Sequence, residues 1–305
     1  MDINSSMHQQ ILVSIVYDAL GIIRNKIGGH LPPGNTEIKD NKTLVTAVDR
    51  EVQGYIIPIL RATFPNTKIN AEEDDVEIGE GKIRFLVDPL DGTRAFSSGL
   101  ATSTVIVGVY DEEKKEVTGC VIGEASTKRV WYAFGDNPTE LFGHGRVSVW
   151  PKPIDSQCSV FLDVSHGFER EKVGVSGKYK QQIFTDKQLA KIFGMLNGQV
   201  KIQIPGSNGL IQSLVANGGQ LVAGSITTAI GGPFDVCGAK LVKNAGGHIR
   251  SFFVYPWDGD FRGLPEGNPL DVVSMSGYDL LITGNSKETA DFLSGVLLEV
   301  YQNHP

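Results

Sequence analysis

The apolar segment Phe85-Leu86-Val87 runs without a break into Asp88-Pro89-Leu90-Asp91-Gly92-Thr93. The fold must therefore seat an apolar strand whose carboxyl end is acidic. Asp-Pro-x-Asp-Gly is a good turn sequence in its own right, and as a turn it needs no ligand. The same turn would also hold Asp88 and Asp91 close together, where two carboxylates repel unless a cation bridges them. A hard divalent ion takes oxygen ligands, backbone carbonyls such as that of Leu90 among them. Gly92 would let the backbone approach an anion closely, and a helix starting after Thr93 would turn free N–H groups toward a phosphate. The Thr93 hydroxyl could orient an attacking water.

Elsewhere the texture alternates between helix and strand. Ile11, Leu12, Ile15, Val16, Ala19, Ile22, Ile23 and Ile27 recur at helical spacing, and Gly28-Gly29 stops the run. The Pro/Gly/Asn-rich stretch 30–41 reads as an exposed loop. A second helix is expected from Thr46 to Phe64, with Thr46 and Asp49 as a capping box and Pro58 kinking or shortening it. Strands are expected at 68–71, 83–87, 103–110, 117–124 and 129–133, with the charged stretch 111–116 as a hairpin loop. The second half predicts strands at 159–164, 201–204, 220–223, 248–253 and 280–283. Its helices are expected at 187–196, 208–216 and 235–245, and a last one opens at Asn285 and Glu288. Residues 256–278 read as a long surface excursion. The division expected is an N-terminal α+β lobe, 1–150, and a C-terminal α/β lobe, 151–305.

The 305 residues include 35 acidic and 28 basic side chains, a formal charge of −7, which argues against a broad footprint on nucleic acid. A phosphorylated small molecule stays admissible, because bound cations reverse the local sign of a site. Cys120, Cys158 and Cys237 form no CxxC pair and read as small buried hydrophobes. No apolar run is long enough to span a bilayer, and the amino terminus has no basic segment before an apolar one. These features predict a cytoplasmic protein without a membrane partner. Monomer and homodimer both stay open.

Three further acidic positions stand out, each with a plain structural alternative. Glu72-Glu73-Asp74-Asp75 is either a solvated charge run or a ligand cluster. Asp49 and Asp235 are either helix caps or ligands. Together, Thr46-Ala47-Val48-Asp49, Glu72-Glu73, Asp88-Pro89-Leu90-Asp91-Gly92-Thr93, and Phe234-Asp235 ahead of Gly246-Gly247 resemble the lithium-sensitive, magnesium-dependent inositol monophosphatase superfamily. The likeness runs from about residue 10 to residue 250, and Gly206-Ser207-Asn208 falls where that superfamily has a glycine-led substrate loop.

The resemblance implies a layered αβαβα sandwich of the inositol monophosphatase/fructose-1,6-bisphosphatase type. It implies two or three Mg2+ ions, with Glu72, Asp88 and the Leu90 carbonyl at the first and Asp88, Asp91 and Asp235 at the second. Glu72 and Asp49 would support a third through water. Gly92 and Thr93 would present backbone N–H groups to the phosphate, while Thr93 and Glu72 orient the water. Lithium and calcium are expected to inhibit.

For the substrate, simple inositol monophosphatases carry a glutamate seven residues before the last aspartate, where this chain has Thr228. That change, with Ser225-Ile226-Thr227-Thr228, resembles inositol polyphosphate 1-phosphatases and favours a substrate such as inositol 1,4-bisphosphate. Val164-Ser165-His166 resembles 3'(2'),5'-bisphosphate nucleotidases instead, where Ser165 and His166 would lie near a nucleotide such as 3'-phosphoadenosine 5'-phosphate. Lys240, Lys243, Arg250 and Arg262 are the basic residues that could meet a second phosphate. An inositol monophosphatase, a sugar bisphosphatase and a non-catalytic metal-binding relative complete the alternatives.

Overall fold

The computed structural model describes residues 5–27, 36–38, 44–73, 76–163, 184, 186–228, 232–252, 266–273 and 280–302. Helix α1 (Ser6–Arg24) is capped by Ser5 and buries Leu12, Val16, Ala19, Leu20 and Ile23. Strands β1 (Thr36–Ile38) and β2 (Leu44–Thr46) form a short antiparallel ribbon, so part of the expected 30–41 loop is a strand. Helix α2 (Ala47–Thr63) opens on the Thr46/Asp49 capping box. It runs through Pro58 without stopping. Pro58 and Gly54, whose carbonyl loses its hydrogen bond, are both exposed, so water can serve that carbonyl.

The first sheet holds β3 (Lys68–Ala71), β4 (Val76–Ile78) and β5 (Ile83–Asp91), then helix α3 (Thr93–Ser97) and β6 (Thr104–Asp111). It continues through β7 (Glu116–Glu124), β8 (Val130–Phe134), β9 (Glu140–Leu141) and β10 (Gly145–Arg146). Its order is β10-β9-β8-β7-β6-β5-β3-β4, antiparallel except for the parallel β3–β5 pair. The second sheet is built from β11 (Ser159–Leu162), β12 (Lys201–Gln203), β13 (Val222–Thr228), β14 (His248–Phe252), β15 (Glu266–Gly267) and β16 (Leu280–Gly284), in the order β12-β11-β13-β16-β14-β15. Helices α4 (Asp186–Leu196), α5 (Asn208–Ala216), α6 (Ala239–Asn244) and α7 (Lys287–Gln302) complete the chain.

Three cores order these elements into five layers. Helices α1 and α2 cover one face of the first sheet through Leu12, Val52, Ile56, Phe85 and Val107. Helices α5 and α6 fill the space between the sheets, where Ile211 and Val242 meet Leu86 and Ile122 on one side and Leu281 on the other. Helices α4 and α7 cover the outer face of the second sheet through Leu189, Leu293 and Val296. The result is the expected αβαβα sandwich. Amphipathic helices need a second apolar face to bury against, and two sheets supply four.

Several elements depart from the pattern read in the sequence. β5 extends four residues past Val87, into the aspartates. β13 runs on through Gly224-Ser225-Ile226-Thr227-Thr228, because its hydroxyls find partners across the sheet: Ser225 Oγ lies 2.7 Å from Thr283 Oγ1, and Thr227 bonds the Leu281 carbonyl. The expected 235–245 helix is a 3₁₀ turn, Pro233–Val236, followed by the short α6. Helix α7 is capped by Ser286, which accepts from Thr289 N, whereas Asn285 ties the chain back to the Trp150 and Lys152 carbonyls. The 256–278 stretch is no plain surface excursion where it is described: Leu270 and Val272 are buried, and Asp271 accepts a 2.6 Å hydrogen bond from Tyr110. All three cysteines are free and buried, and no described helix is long and apolar enough to cross a membrane.

Candidate active site

The site begins with an irregularity in β5. Asp88 pairs with Ile106 and Asp91 with Thr104, so three steps on β5 oppose two on β6. In a regular strand, residues three apart face opposite sides; the extra residue of this bulge brings both aspartates to one side. Pro89, which has no N–H to contribute to a ladder, sits inside it. Asp88 Oδ1 accepts from Leu90 N at 2.9 Å, closing the turn. Gly92 then takes a left-handed conformation, φ +84°, and a Cβ there would stand 2.8 Å from the Gly206 carbonyl oxygen and 3.0 Å from Ser207 Cβ. Only glycine fits this contact.

Asp91 points at the start of α5. Its carboxylate accepts from Ser207 Oγ at 2.6 Å, Thr104 Oγ1 at 2.7 Å, Gly209 N at 2.8 Å and Asn208 N at 3.2 Å. These bonds hold its pKa down against burial, which is the larger influence and raises it. Ser207 is itself the N-cap of α5, accepting from Leu210 N, so its hydroxyl is engaged with Asp91 and the helix. Asp235 arrives from the 3₁₀ turn, whose backbone is pinned where Gln212 Nε2 donates to the Asp235 carbonyl at 2.6 Å.

Carboxylate oxygens of Asp88, Asp91 and Asp235 lie within 4.8 Å of one another, and all three side chains are buried. Burial pushes the Asp88 carboxyl well above the usual range, and the charges of Glu72, Asp91 and Asp235 push it further. Glu72 belongs to this neighbourhood because its N–H donates to the Val87 carbonyl at 3.0 Å, placing it beside the end of β5. This all-oxygen donor set fits a hard divalent cation, which would relieve the repulsion that raises Asp88.

Asp49 joins from α2 through Thr93. Thr93 Oγ1 stands 3.1 Å from Asp49 Oδ1 and 2.9 Å from the Leu90 carbonyl oxygen. The other oxygen of Asp49 accepts from Thr46 N at 2.9 Å and Thr46 Oγ1 at 2.5 Å, so the capping carboxylate and the site carboxylate are the same group. Burial raises its pKa to about 6, the Thr46 bonds oppose this, and the nearby Glu73 charge adds to it. Glu73 is wholly buried, with its backbone bridged on both sides by the Gln53 amide.

Residues 6–265 match the inositol monophosphatase family. The chain belongs to that family. Its members are metal-dependent phosphatases, and an acidic cluster of Asp88, Asp91 and Asp235 is present in this chain. The chain is 29% identical over 212 residues to the fructose-1,6-bisphosphatase/inositol-1-monophosphatase of Thermotoga maritima, across 69% of this chain and 72% of that one. Inositol monophosphatase 3 of Solanum lycopersicum is 28% identical over 259 residues, across 81% and 87%. Among solved structures, the Thermotoga maritima IMPase superposes with a TM-score of 0.71 at 21% identity, covering 96% of this chain and 98% of that one. That likeness speaks for the fold.

Of the positions read in the sequence, Asp49, Glu72, Asp88, Leu90, Asp91, Gly92, Thr93, Gly206, Ser207 and Asp235 gather at one place in this member of the family. Ser165, His166 and Arg262 lie outside the described residues. Lys240, Lys243 and Arg250 do not approach the carboxylate cluster: Arg250 is paired with Glu266 and Asp291, and the two lysines are on α6 near the β6–β7 hairpin. Sequence reasoning missed the scaffold of Asp91, namely Thr104 and the Asn208 and Gly209 amides. Its one visible signal was a hydroxyl residue opening the apolar run Val105-Ile106-Val107. Glu73 was passed over for Glu72, because only the fold shows which of two adjacent carboxylates turns inward beside Gln53.

Proposed function

We propose that the protein is a magnesium-dependent phosphatase that removes one phosphate from a small, multiply phosphorylated metabolite. The convergence of Asp88, Asp91 and Asp235 within 4.8 Å carries this reading. Glu72, Asp88 and the Leu90 carbonyl would hold one magnesium ion, and Asp88, Asp91 and Asp235 a second, with Asp49 and Glu72 near a third. When bound, such cations neutralise a phosphate dianion and make water nucleophilic at neutral pH.

The protein's own groups account for the rest. Gly92 and Thr93 offer backbone N–H groups to the phosphate oxygens. The Thr93 hydroxyl has a single proton; donated to ionised Asp49, it leaves the oxygen lone pairs facing the site, where they and Glu72 orient the attacking water. Without metal, burial raises the Asp49 carboxyl to about 6, so at pH 7 it is mostly ionised and able to accept that hydrogen bond, and a nearby cation would favour the ionised form further. Ser207 and Thr104 hold Asp91 in place, and Gln212 holds the backbone of Asp235.

For the alcohol, we favour an inositol polyphosphate such as inositol 1,4-bisphosphate. Thr228, buried at the end of β13, puts a neutral side chain where a carboxylate would repel a second phosphate, and its carbonyl accepts from Asn208 on α5. The similarity to a fructose-1,6-bisphosphatase/inositol-1-monophosphatase supports a second reading, with fructose 1,6-bisphosphate or inositol 1-phosphate as substrate. Phosphate release with and without Mg2+ should be followed on inositol 1,4-bisphosphate, inositol 1-phosphate, fructose 1,6-bisphosphate and 3'-phosphoadenosine 5'-phosphate. The highest kcat/KM is expected on the first. Faster hydrolysis of the nucleotide would replace this reading with a nucleotidase, and no release from any of them would refute the enzyme. Millimolar lithium and calcium are expected to inhibit that release.

A further inference from the structure

Asp49 and Gln53 are the two polar side chains that α2 buries, one helical turn apart on the same face. A buried amide is destabilising unless its hydrogen-bonding groups are satisfied. Gln53, 7% exposed, satisfies both on one residue. Its Nε2 donates to the Glu73 carbonyl at 2.9 Å, and its Oε1 accepts from the Glu73 N–H at 3.1 Å. A primary amide both donates and accepts, so it can close two bonds on one residue's backbone as a neighbouring strand would. An aliphatic side chain of the same length would fill the space and make neither bond.

The residue so gripped directly follows Glu72. On its other side Glu72 is tied to β5, where its own N–H donates to the Val87 carbonyl at 3.0 Å. The segment is therefore fixed from α2 and from β5 at consecutive residues. Its register decides which carboxylate faces which: the Glu72 charge bears on Asp88, and the Glu73 charge bears on Asp49. A slip of one residue would put Glu73 where Glu72 stands. Asp49 rides on the same rigid helix as Gln53, so the grip fixes Glu72 relative to Asp49 as well as to Asp88.

We propose, on the reading of the carboxylate cluster as a magnesium centre, that Gln53 is a positioning residue for it. By holding the Glu73 backbone, Gln53 sets the separation and facing of Glu72 and Asp49, and with them the affinity for the cation that these two would support. It acts through the backbone and touches neither metal nor substrate. Removing a group that orients metal ligands in this way costs roughly 10–100-fold in metal affinity or turnover.

Three variants of the full chain test this role. Gln53→Met keeps the length and loses both bonds. Gln53→Asn keeps the amide but is one methylene too short to close both, and it serves if Gln53→Met fails to fold. Ile56→Val removes one methyl from the buried face of the same helix and is the structural control. Over rising Mg2+, thermal unfolding is followed without substrate, and phosphate release is followed on whichever of the four phosphates named above wild type hydrolyses fastest. Both Gln53 variants are expected to need about tenfold more Mg2+ than wild type for the onset of the Tm rise and for half-maximal turnover, with KM for the phosphate unchanged at saturating Mg2+. Ile56→Val should lower the Tm throughout and leave both Mg2+ requirements where they are. Gln53 variants with a lower Tm but the wild-type Mg2+ requirement would overturn the positioning role and leave the phosphatase reading intact. A wild type whose Tm and turnover ignore Mg2+ would overturn both.

Discussion

Asp49 makes the metal-free protein's stability depend on pH in a direction opposite to ordinary acid denaturation. Its carboxyl moves from 3.8 to about 6 on folding, chiefly through burial. A raised acid pKa means that the native state binds the proton more tightly than the unfolded chain does. The stabilisation is therefore fully present below pH 3.8 and is lost as pH rises through about 6. A rise of roughly two units, at about 1.4 kcal/mol each, amounts to about 3 kcal/mol. Groups with lowered values, such as Asp155 at about 2 and the half-buried Glu124, act the other way, and their contribution disappears only as pH falls below their unfolded values, 3.8 and 4.5.

Metal-free protein should therefore be most stable near pH 5 and weaken toward pH 7. Urea unfolding in EDTA between pH 4.5 and 7.5, on wild type and Asp49→Asn, isolates the Asp49 part as the difference between the two curves. The variant has no proton to release at this position, so wild type should lose about 2 kcal/mol relative to it across that range, the rest of the roughly 3 kcal/mol falling below pH 4.5. Two parallel profiles, or wild type gaining on the variant as pH rises, would refute the reasoning. Added magnesium should shrink the difference, because a cation favours the ionised carboxylates.

Asp88→Asn removes a buried charge that Glu72, Asp91 and Asp235 oppose. The metal-free variant should unfold at a higher temperature than wild type at pH 7, lose the magnesium-induced rise in Tm, and turn over about a thousandfold more slowly or worse. Gly92→Ala forces a Cβ against Gly206 and Ser207 at φ +84°. It should cost about 1–3 kcal/mol in urea unfolding and lower kcat/KM, since the phosphate-facing turn must shift. Tyr110→Phe leaves Asp271 without its 2.6 Å donor. It should cost about 1–2 kcal/mol and speed proteolysis near residue 270 with kcat unchanged.

Much of the architecture was legible from periodicity. β3 (Lys68–Ala71) and α5 (Asn208–Ala216) fall where their patterns predict, because strand alternation, Ser207 and the small turn residues are local signals. Misreadings came where partners distant in the chain decide the outcome. Ser225, Thr227 and Thr228 look too polar for an inner strand until β16 supplies acceptors and hydroxyls opposite them. The Gly/Pro/Asp-rich stretch around Leu270 reads as surface until Tyr110, 161 positions earlier, bonds Asp271.

The acidic motifs and their order belong to the sequence alone: Asp49 in a capping box, Glu72 after a strand, Asp88 and Asp91 around a proline, Asp235 ahead of a short helix and Gly246-Gly247. Side-chain chemistry and local turn preference are written in neighbouring residues. That Asp88, Asp91 and Asp235 share one space and that Asp91 is held by the start of α5 were decided by tertiary packing. Burial, the charge of a neighbour and the reach of a hydrogen bond depend on which layers meet, and two sheets with helices between them bring together residues more than a hundred positions apart.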